Sequence, residues 1–94
     1  MTRWVVTYDI ADDRRRGRVS RELEMWGVRV QQSVFEVTAG TAGMDRIAGR
    51  LRGLCALGED SVRMYPVCGD CAGRIVLLGD RDRAAFSARE TLVV

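Results

Sequence analysis

WVVTYDIADDRRR, residues 4–16, is the stretch that decides the fold of this chain. Residues 5–8 are β-branched and aromatic, which favours the pleated, half-buried surface of a strand. That strand stops on a carboxylate, Asp9, and either Asp12 or Asp13 can then cap a helix by accepting hydrogen bonds from its first free backbone N–H groups. The stretch therefore predicts a strand that passes directly into an arginine-rich helix.

The junction between this strand and this helix is the candidate functional site. The free N–H groups and the dipole at a helix N-terminus suit a phosphate. Asp9 lies where a divalent cation could be held next to that phosphate, and Arg15 and Arg16 follow closely. A metal ion, an anion-binding helix end and guanidinium groups are what phosphodiester chemistry requires. The alternative is that Asp9 is only a helix-capping or turn aspartate.

The composition is that of one globular domain. The chain has 94 residues, of which 47% are hydrophobic and 30% charged, and no apolar run approaches the ~20 residues needed to cross a bilayer. The N-terminus has no signal-peptide pattern, so we expect a cytoplasmic protein. Because the net charge is only +2, the chain lacks the overall cationic field of a nonspecific nucleic-acid coat.

The basic residues are unusual in kind, because all 15 are arginines and histidine is absent. The lack of histidine excludes a Ser-His-Asp triad, a Cys-His nucleophile pair and a histidine-ligated zinc. General acid–base chemistry near neutral pH would need a shifted carboxylate or a metal-bound water. The arginine fork matches phosphate oxygens in two-point contacts, although a codon bias would give the same composition.

Hydrophobic periodicity predicts two helices and several short strands. Residues 28–37 change phase, because the apolar residues before Gln31 and those after Ser33 fall on opposite parity, which predicts a bulge or break between them. The predicted elements are strands at 3–9, 28–37, 60–67 and 74–78, helices at 13–26 and 43–57, and turns at 38–43 and 68–73. This order predicts an α+β fold, a ferredoxin-like β-α-β-β-α-β sandwich in residues 1–78. The tail, 79–94, is expected to add an extra strand that pairs with a partner protomer.

A set of arginines lies on the first predicted helix. Arg14, Arg18 and Arg21 recur roughly a turn apart on one side, while Arg15 and Arg16 stay near its N-terminus. One interpretation is an ordinary solvated polar face. The other is a nucleic-acid-binding rim, formed by all five side chains beside the strand-end carboxylate.

The three cysteines carry a weaker signal. Cys68 and Cys71 have the CxxC spacing of half a zinc site or a redox pair. A structural zinc needs four ligands, which two copies of the pair could supply together, and reduced thiols are the default in the cytoplasm. Cys55 falls on the apolar stripe of the second helix and is expected to be a small core residue.

Four pieces of the sequence together carry a resemblance to a known family. They are VVTYDI at 5–10, DDRRR at 12–16, GVRVQQSVFE at 27–36 and DSVRMYPVC at 60–68. In this order and spacing, the chain resembles the CRISPR-associated endoribonuclease two family, the small protein of the spacer-acquisition pair. Two departures stand out. The tail matches no motif of the family, and arginines replace the lysines common after the Asp-Asp pair, which keeps the charge.

The resemblance implies a ferredoxin-like protomer that forms a two-fold homodimer, with C-terminal strand material of each chain added to the partner's sheet. It implies that Asp9 faces its symmetry mate and binds Mg²⁺, for which Mn²⁺ can substitute. It implies metal-dependent cleavage of single-stranded RNA or of duplex DNA. It also implies a scaffold role, in which integrase subunits grip the dimer while it holds the DNA fragment to be inserted into a CRISPR array.

The predicted catalytic residues are Asp9, Arg15, Arg16 and Ser33. In this hypothesis the shared ion generates a hydroxide that attacks the scissile phosphate, while the two arginines stabilise the developing charge. The resemblance places Ser33 near the phosphate in some members; otherwise its hydroxyl simply bonds at the strand break. Two facing Asp9 carboxylates repel each other, which raises the pKa of one of them, so metal binding should weaken as the pH falls.

Four functions compete at this point. The first is a magnesium-dependent endoribonuclease, and the second is a non-catalytic DNA-holding scaffold of an integration complex. The third, a regulatory domain that binds a small ligand, is disfavoured because the sequence has no glycine-rich cradle. The fourth is an interferase-like toxin nuclease, whose fold can look alike.

Overall fold

A computed structural model of the chain describes residues 1–79 and 91–93. The main body is a four-stranded sheet with two long helices, so the chain is a mixed α+β protein. In chain order the elements are β1 (Thr2–Asp9), α1 (Asp13–Glu24), β2 (Gly27–Gln31), β3 (Val34–Ala39), α2 (Thr41–Leu54), β4 (Ser61–Val67), α3 (Gly69–Ala72), β5 (Ile75–Leu77) and β6 (Thr91–Val93). No helix of the described part is long and apolar enough to cross a membrane.

The sheet has the strand order β2-β3-β1-β4, and neighbouring strands run antiparallel. The central strand β1 has Val6 opposite Phe35 of β3 on one side and opposite Met64 of β4 on the other. Successive side chains of a strand point to opposite faces. One face therefore carries Val6 towards the helices, and the other, which we call the open face, carries Asp9 of the same strand.

The hydrophobic core lies between the helices and the sheet. Alternation along β1 and β3 and the 3.6-residue period of the helices direct apolar side chains into the same layer. Val19 and Leu23, which lie four residues apart on α1, are fully buried there. The remaining members of this cluster are Val6, Tyr8, Ile10, Phe35, Val37, Met44, Ile47 and Leu51.

The predicted break in residues 28–37 is confirmed. The chain forms two strands, β2 and β3, and their register shifts between Arg29 and Gln31. The shift lets Phe35 and Val37 face the core although their parity differs from that of the residues before the break.

Several predicted boundaries need correction. The first helix ends at Glu24 rather than at residue 26, because the chain must turn at once into β2. The predicted turn at 38–43 is wrong, because pairing with β1 continues to Ala39 and the second helix begins at Thr41. That helix ends at Leu54 rather than at residue 57, since the backbone of Cys55 is extended. Within the predicted turn at 68–73 the chain forms the short helix α3.

The C-terminal part is only partly described. The predicted strand at 74–78 is present as β5, and it pairs in parallel with β6 of the same chain. Residues 80–90 and 94 lie outside the described part, and most of the tail expected to reach a partner protomer lies there. Pairing of the tail with a second copy stays a prediction.

Gly27 offers a direct test of how tightly β2 is held against β3. A Cβ at this position would lie 2.1 Å from the Glu36 backbone oxygen and 2.8 Å from Val37 Cγ2. Because the first contact is with backbone, we expect Gly27→Ala to lower the free energy of unfolding by about 1–3 kcal/mol. The matched control is Gly49→Ala in α2, where nothing lies within 4 Å. There alanine should stabilise the helix by about 0.5–1 kcal/mol.

Urea unfolding of both variants distinguishes these cases. If Gly27→Ala unfolded at the same urea concentration as the parent chain, the close approach of β2 to β3 would be wrong.

Candidate functional site

Asp9 lies exposed at the end of β1 on the open face. The antiparallel register places it directly opposite Ser61 of β4. An open cleft of about 290 Å³ forms at this point, which we call the Asp9 cleft. Its lining residues are Thr7, Tyr8, Asp9, Ser61, Arg63 and Tyr65.

Arg63 also lines this cleft, and it was not predicted from the sequence. Its side chain shares the open face with Asp9, because Arg63 pairs with Thr7 two residues away from the Asp9–Ser61 pair. The guanidinium donates a hydrogen bond to the Tyr65 hydroxyl at 3.2 Å, and this bond raises the pKa of Arg63. The alternation of β4 could have indicated this position. Ser61, Arg63 and Tyr65 point to one face of the strand, and Val62 and Met64 point to the other.

The oxygen donors of the Asp9 cleft suit a hard cation such as Mg²⁺, which prefers carboxylates, hydroxyls and water. One chain supplies few of them, however. Within the part of the chain that the structure describes, no group of three or more His, Cys, Asp or Glu side chains could hold a metal ion. Mg²⁺ keeps several waters and can be bound through one or two carboxylates, so Asp9 supplies one ligand and a second carboxylate would have to come from another copy of the chain.

The start of α1 is a less favourable phosphate site than its sequence indicates. Asp12 is the cap, since its carboxylate accepts the backbone N–H of Arg15 at 2.9 Å. Asp13 adds a second negative charge in the first turn. Two carboxylates at this helix end compete with a phosphate for the N–H groups and repel it. The choice between Asp12 and Asp13 as the cap is resolved in favour of Asp12.

Arg15 is engaged elsewhere in the structure. Its guanidinium binds Asp60 through Nε at 2.8 Å and through Nη2 at 3.2 Å, and Nη2 also donates to Glu59 at 3.0 Å. The Asp60 side chain is only 1% exposed and also accepts the Ala56 N–H at 2.8 Å. These contacts fasten the start of α1 to the loop before β4. The catalytic role of Arg15 stays a prediction, and Arg15 is not among the residues that line the Asp9 cleft.

Arg16 and Ser33 come together in a second cavity. The Arg16 guanidinium donates to the Ile10 and Ala11 carbonyl oxygens at 3.1 and 3.3 Å. Both Arg16 and Ser33 line a pocket of about 260 Å³ between α1 and the β2–β3 turn. Asp9 does not line this pocket, although its neighbour Tyr8 lines both cavities. The backbone N–H of Tyr8 donates to the Ser33 carbonyl at 3.1 Å, which holds the two regions side by side.

The three arginines on one side of α1 lie on the protein surface. Arg14, Arg18 and Arg21 are all exposed on α1. Exposure is compatible with both interpretations, a solvated face and a nucleic-acid-binding rim.

The chain is similar along most of its length to a known group of proteins. A family model described as CRISPR associated protein Cas2 matches residues 1–75. The chain belongs to the CRISPR-associated Cas2 family. A CRISPR-associated endoribonuclease Cas2 of Rhodospirillum rubrum is 42% identical over 79 residues, which cover 84% of this chain and 64% of that relative. A CRISPR-associated endoribonuclease Cas2 of Synechocystis is 40% identical over 77 residues, covering 82% of this chain and 84% of the relative.

Solved Cas2 structures and related chains have the same architecture. A hypothetical protein from Thermus thermophilus matches with a TM-score of 0.70 and 41% identity, covering 72% of this chain and 83% of that one. A chain of a partial Cas6-RT-Cas1–Cas2 complex matches with a TM-score of 0.62 and 29% identity, covering 77% of this chain and 84% of that one. The chain spans slightly less than two thirds of the Rhodospirillum relative.

One ion-pair cluster of this Cas2 family member was not predicted from the sequence. Arg50 of α2 donates to the buried Glu22 carboxylate through Nε at 2.8 Å and through Nη2 at 2.9 Å. Trp26 Nε1 donates to the same carboxylate at 2.9 Å. Arg50 first and then Trp26 lower the pKa of Glu22. The Arg50–Glu22 ion pair therefore links α2 to α1.

The Arg15–Asp60 ion pair makes the free energy of unfolding depend on pH. The bond from Arg15 lowers the pKa of Asp60 below its ordinary value of 3.8. The unfolded chain therefore binds the proton more tightly, and the contribution of Asp60 to stability is present above that ordinary value. It is lost as the pH falls through the lowered pKa of the folded state.

We expect the urea midpoint of the parent chain to fall as the pH is lowered below about 4, and to fall less in Asp60→Asn. Circular dichroism during urea titration at several pH values measures this. If the urea midpoint fell equally with pH in both proteins, Asp60 would contribute nothing to the acid dependence of stability. Asp70→Asn, an exposed change on α3, is the matched control.

Proposed function

We propose that this chain is a metal-dependent endoribonuclease of a CRISPR system, acting as a cytoplasmic homodimer in which two Asp9 carboxylates share a Mg²⁺ ion. The observation that carries the proposal is the position of Asp9, exposed at the end of the central strand in a cleft with hydroxyl and guanidinium groups. The Cas2 relatives named as endoribonucleases support the reaction class.

The protomer is proposed to be ferredoxin-like, with an extra C-terminal strand. The strand order β2-β3-β1-β4 and the packing of both helices against one face of the sheet support this assignment. The open face carries exposed apolar side chains, Val28 and Tyr65, which are 50% and 47% exposed. Pairing two open faces would cover them and would bring the Asp9 clefts of the two copies together.

The residues of the Asp9 cleft would have separate roles in binding the metal ion and the phosphate. A Mg²⁺ ion, when bound, would polarise the phosphoryl oxygens and lower the pKa of a bound water. Asp9 of each copy would hold the ion, with the Thr7 and Ser61 hydroxyls alongside. Arg63 would hold a non-bridging phosphate oxygen and offset the charge that develops there. Arg16 and Ser33, in the neighbouring pocket, would hold the next phosphate of a single-stranded RNA or of duplex DNA.

Metal removal tests this function. Purified protein should cleave end-labelled single-stranded RNA with Mg²⁺ or Mn²⁺, and excess EDTA should stop the reaction because water is no longer activated at the shared site. Sedimentation in the same buffer should give a dimer. Cleavage that continues in EDTA, or activity that follows a monomer through gel filtration, would contradict the proposal.

A second candidate function is a DNA-holding scaffold for CRISPR integrase subunits. Two observations favour it. One similar chain belongs to a complex that contains Cas1, and the exposed arginines of α1 form a surface suited to phosphates. This function needs the dimer and the arginines but not the Asp9 carboxylate, so the two functions respond differently to a substitution at Asp9.

A further inference from the structure

Cys68 and Cys71 form a structured pair that the proposed nuclease does not use. Cys68 is the N-cap residue of α3, and Cys71 lies within that helical turn. The Cys68 sulfur accepts the backbone N–H of Cys71 at 3.2 Å. Both cysteines are free and exposed. The fold thus holds two accessible thiols together, with one sulfur directed back over the turn that contains the other.

Hydrogen-bond donors lie next to both sulfur atoms. Nη2 of Arg74 lies 3.7 Å from the Cys71 sulfur, within reach of a weak hydrogen bond. The Cys71 N–H is the largest influence that lowers the pKa of Cys68. Since the thiolate is the nucleophile in exchange reactions, the N–H on its sulfur favours Cys68 as the attacking group. Cys55 differs, because it is half-buried and burial raises its pKa.

A disulfide bond between Cys68 and Cys71 can form without disturbing the core. Ala72 is the buried residue of α3, whereas Cys68 and Cys71 are both exposed. Residues three apart in a helical turn have Cβ atoms about 5–6 Å apart, and a disulfide needs about 3.5–4.5 Å. A small movement of the backbone at Cys68 would therefore bring the two Cβ atoms within the distance that a disulfide needs.

We propose that Cys68 and Cys71 are a site of reversible thiol–disulfide exchange with low-molecular-weight disulfides. The Cys68 thiolate attacks one sulfur of the small disulfide, whose S–S bond breaks and releases one thiolate. The Cys71 thiol then loses its proton to solvent and attacks the Cys68 sulfur of the mixed disulfide, which releases the second thiolate. The released thiolates take up protons. The small disulfide gains two electrons, and the cysteine pair loses two.

The test uses the full chain and glutathione disulfide as the probe. The reduced protein, freed of reductant, should lose two of its three thiols. Trypsin cleaves after Arg63 and Arg74, so a single peptide, 64–74, carries both cysteines and should be lighter by two hydrogen atoms. Dithiothreitol should restore all three thiols. Retention of three thiols, or disulfides only between chains, would overturn the proposal.

Single substitutions identify the role of each sulfur. Cys71→Ser should accumulate glutathione on Cys68, because the resolving thiol is gone. Cys68→Ser should react more slowly with glutathione disulfide than Cys71→Ser does, and Cys55→Ser should behave as the parent chain. Equal rates in Cys68→Ser and Cys71→Ser would overturn the assignment of Cys68 as the attacking group. Loss of the exchange in Cys55→Ser would overturn the pairing itself.

Discussion

Asp9→Asn is expected to lower the rate of magnesium-dependent RNA cleavage at least about 100-fold, while the chain stays folded. Removing even an outer-shell partner of a metal ligand costs about 10–100-fold, and this change neutralises a proposed ligand itself. In the proposed two-fold dimer each substitution would remove two carboxylates from the shared site. Asp9 is exposed at a strand end, so the amide should be tolerated there.

Initial rates at saturating Mg²⁺, with protein purified identically, measure the effect. The matched control is Asp45→Asn, an exposed aspartate on α2, which should cleave as the parent chain does. A variant that kept more than about a tenth of the activity would remove Asp9 from the mechanism. Duplex DNA binding by the same variant should be unchanged, since that depends on contacts to phosphates. Loss of DNA binding together with cleavage would mean that Asp9 acts through the dimer rather than through the metal.

The sequence contained enough to predict the sheet and both helices, but not the ion pairs that fix their relative positions. Alternation and the 3.6-residue period are local, so they identify the core side chains Val19, Leu23 and Phe35 directly. Arg15 and Asp60 are 45 residues apart in sequence, and Glu22 and Arg50 are 28 apart. No local pattern indicates which arginine finds which carboxylate, because this depends on how α1 and α2 pack.

The same reasoning explains why the predicted catalytic group separates in space. Arg14, Arg15 and Arg16 are consecutive, and successive residues of a helix point about 100° apart around its axis. The predicted catalytic arginines leave the helix in different directions, since Arg15 binds Asp60 and Arg16 binds the Ile10 carbonyl. Strand residues two apart do share a face, which is how Arg63 reaches the Asp9 cleft. Parity within β4 indicates which of its side chains share the Asp9 cleft, whereas the charge density on α1 does not.

Phe35→Ala is expected to lower the free energy of unfolding by about 3–5 kcal/mol. Phe35 is completely buried, lies opposite Val6 and packs with its ring centroid 6.3 Å from that of Tyr8. The Arg29 guanidinium covers the ring at 5.0 Å from its centroid. Truncation leaves a cavity and removes the ring that Arg29 packs on. A domain of this size has only about 5–15 kcal/mol of stability, so a large fraction would be lost.

Urea unfolding followed by the fluorescence of Trp4 and Trp26, which pack against the core, measures this loss. Phe35→Leu, which keeps most of the volume, should cost about 1 kcal/mol and remain folded if the alanine variant does not. Phe35 also lies in the motif that resembles the nuclease family, so its activity is informative. RNA cleavage per folded Phe35→Leu molecule should match that of the parent chain, because the Asp9 cleft lies on the other face of the sheet and leucine keeps most of the volume on which Tyr8 and Arg29 pack. If Phe35→Leu kept its stability but lost cleavage, Phe35 would belong to the functional site rather than to the core.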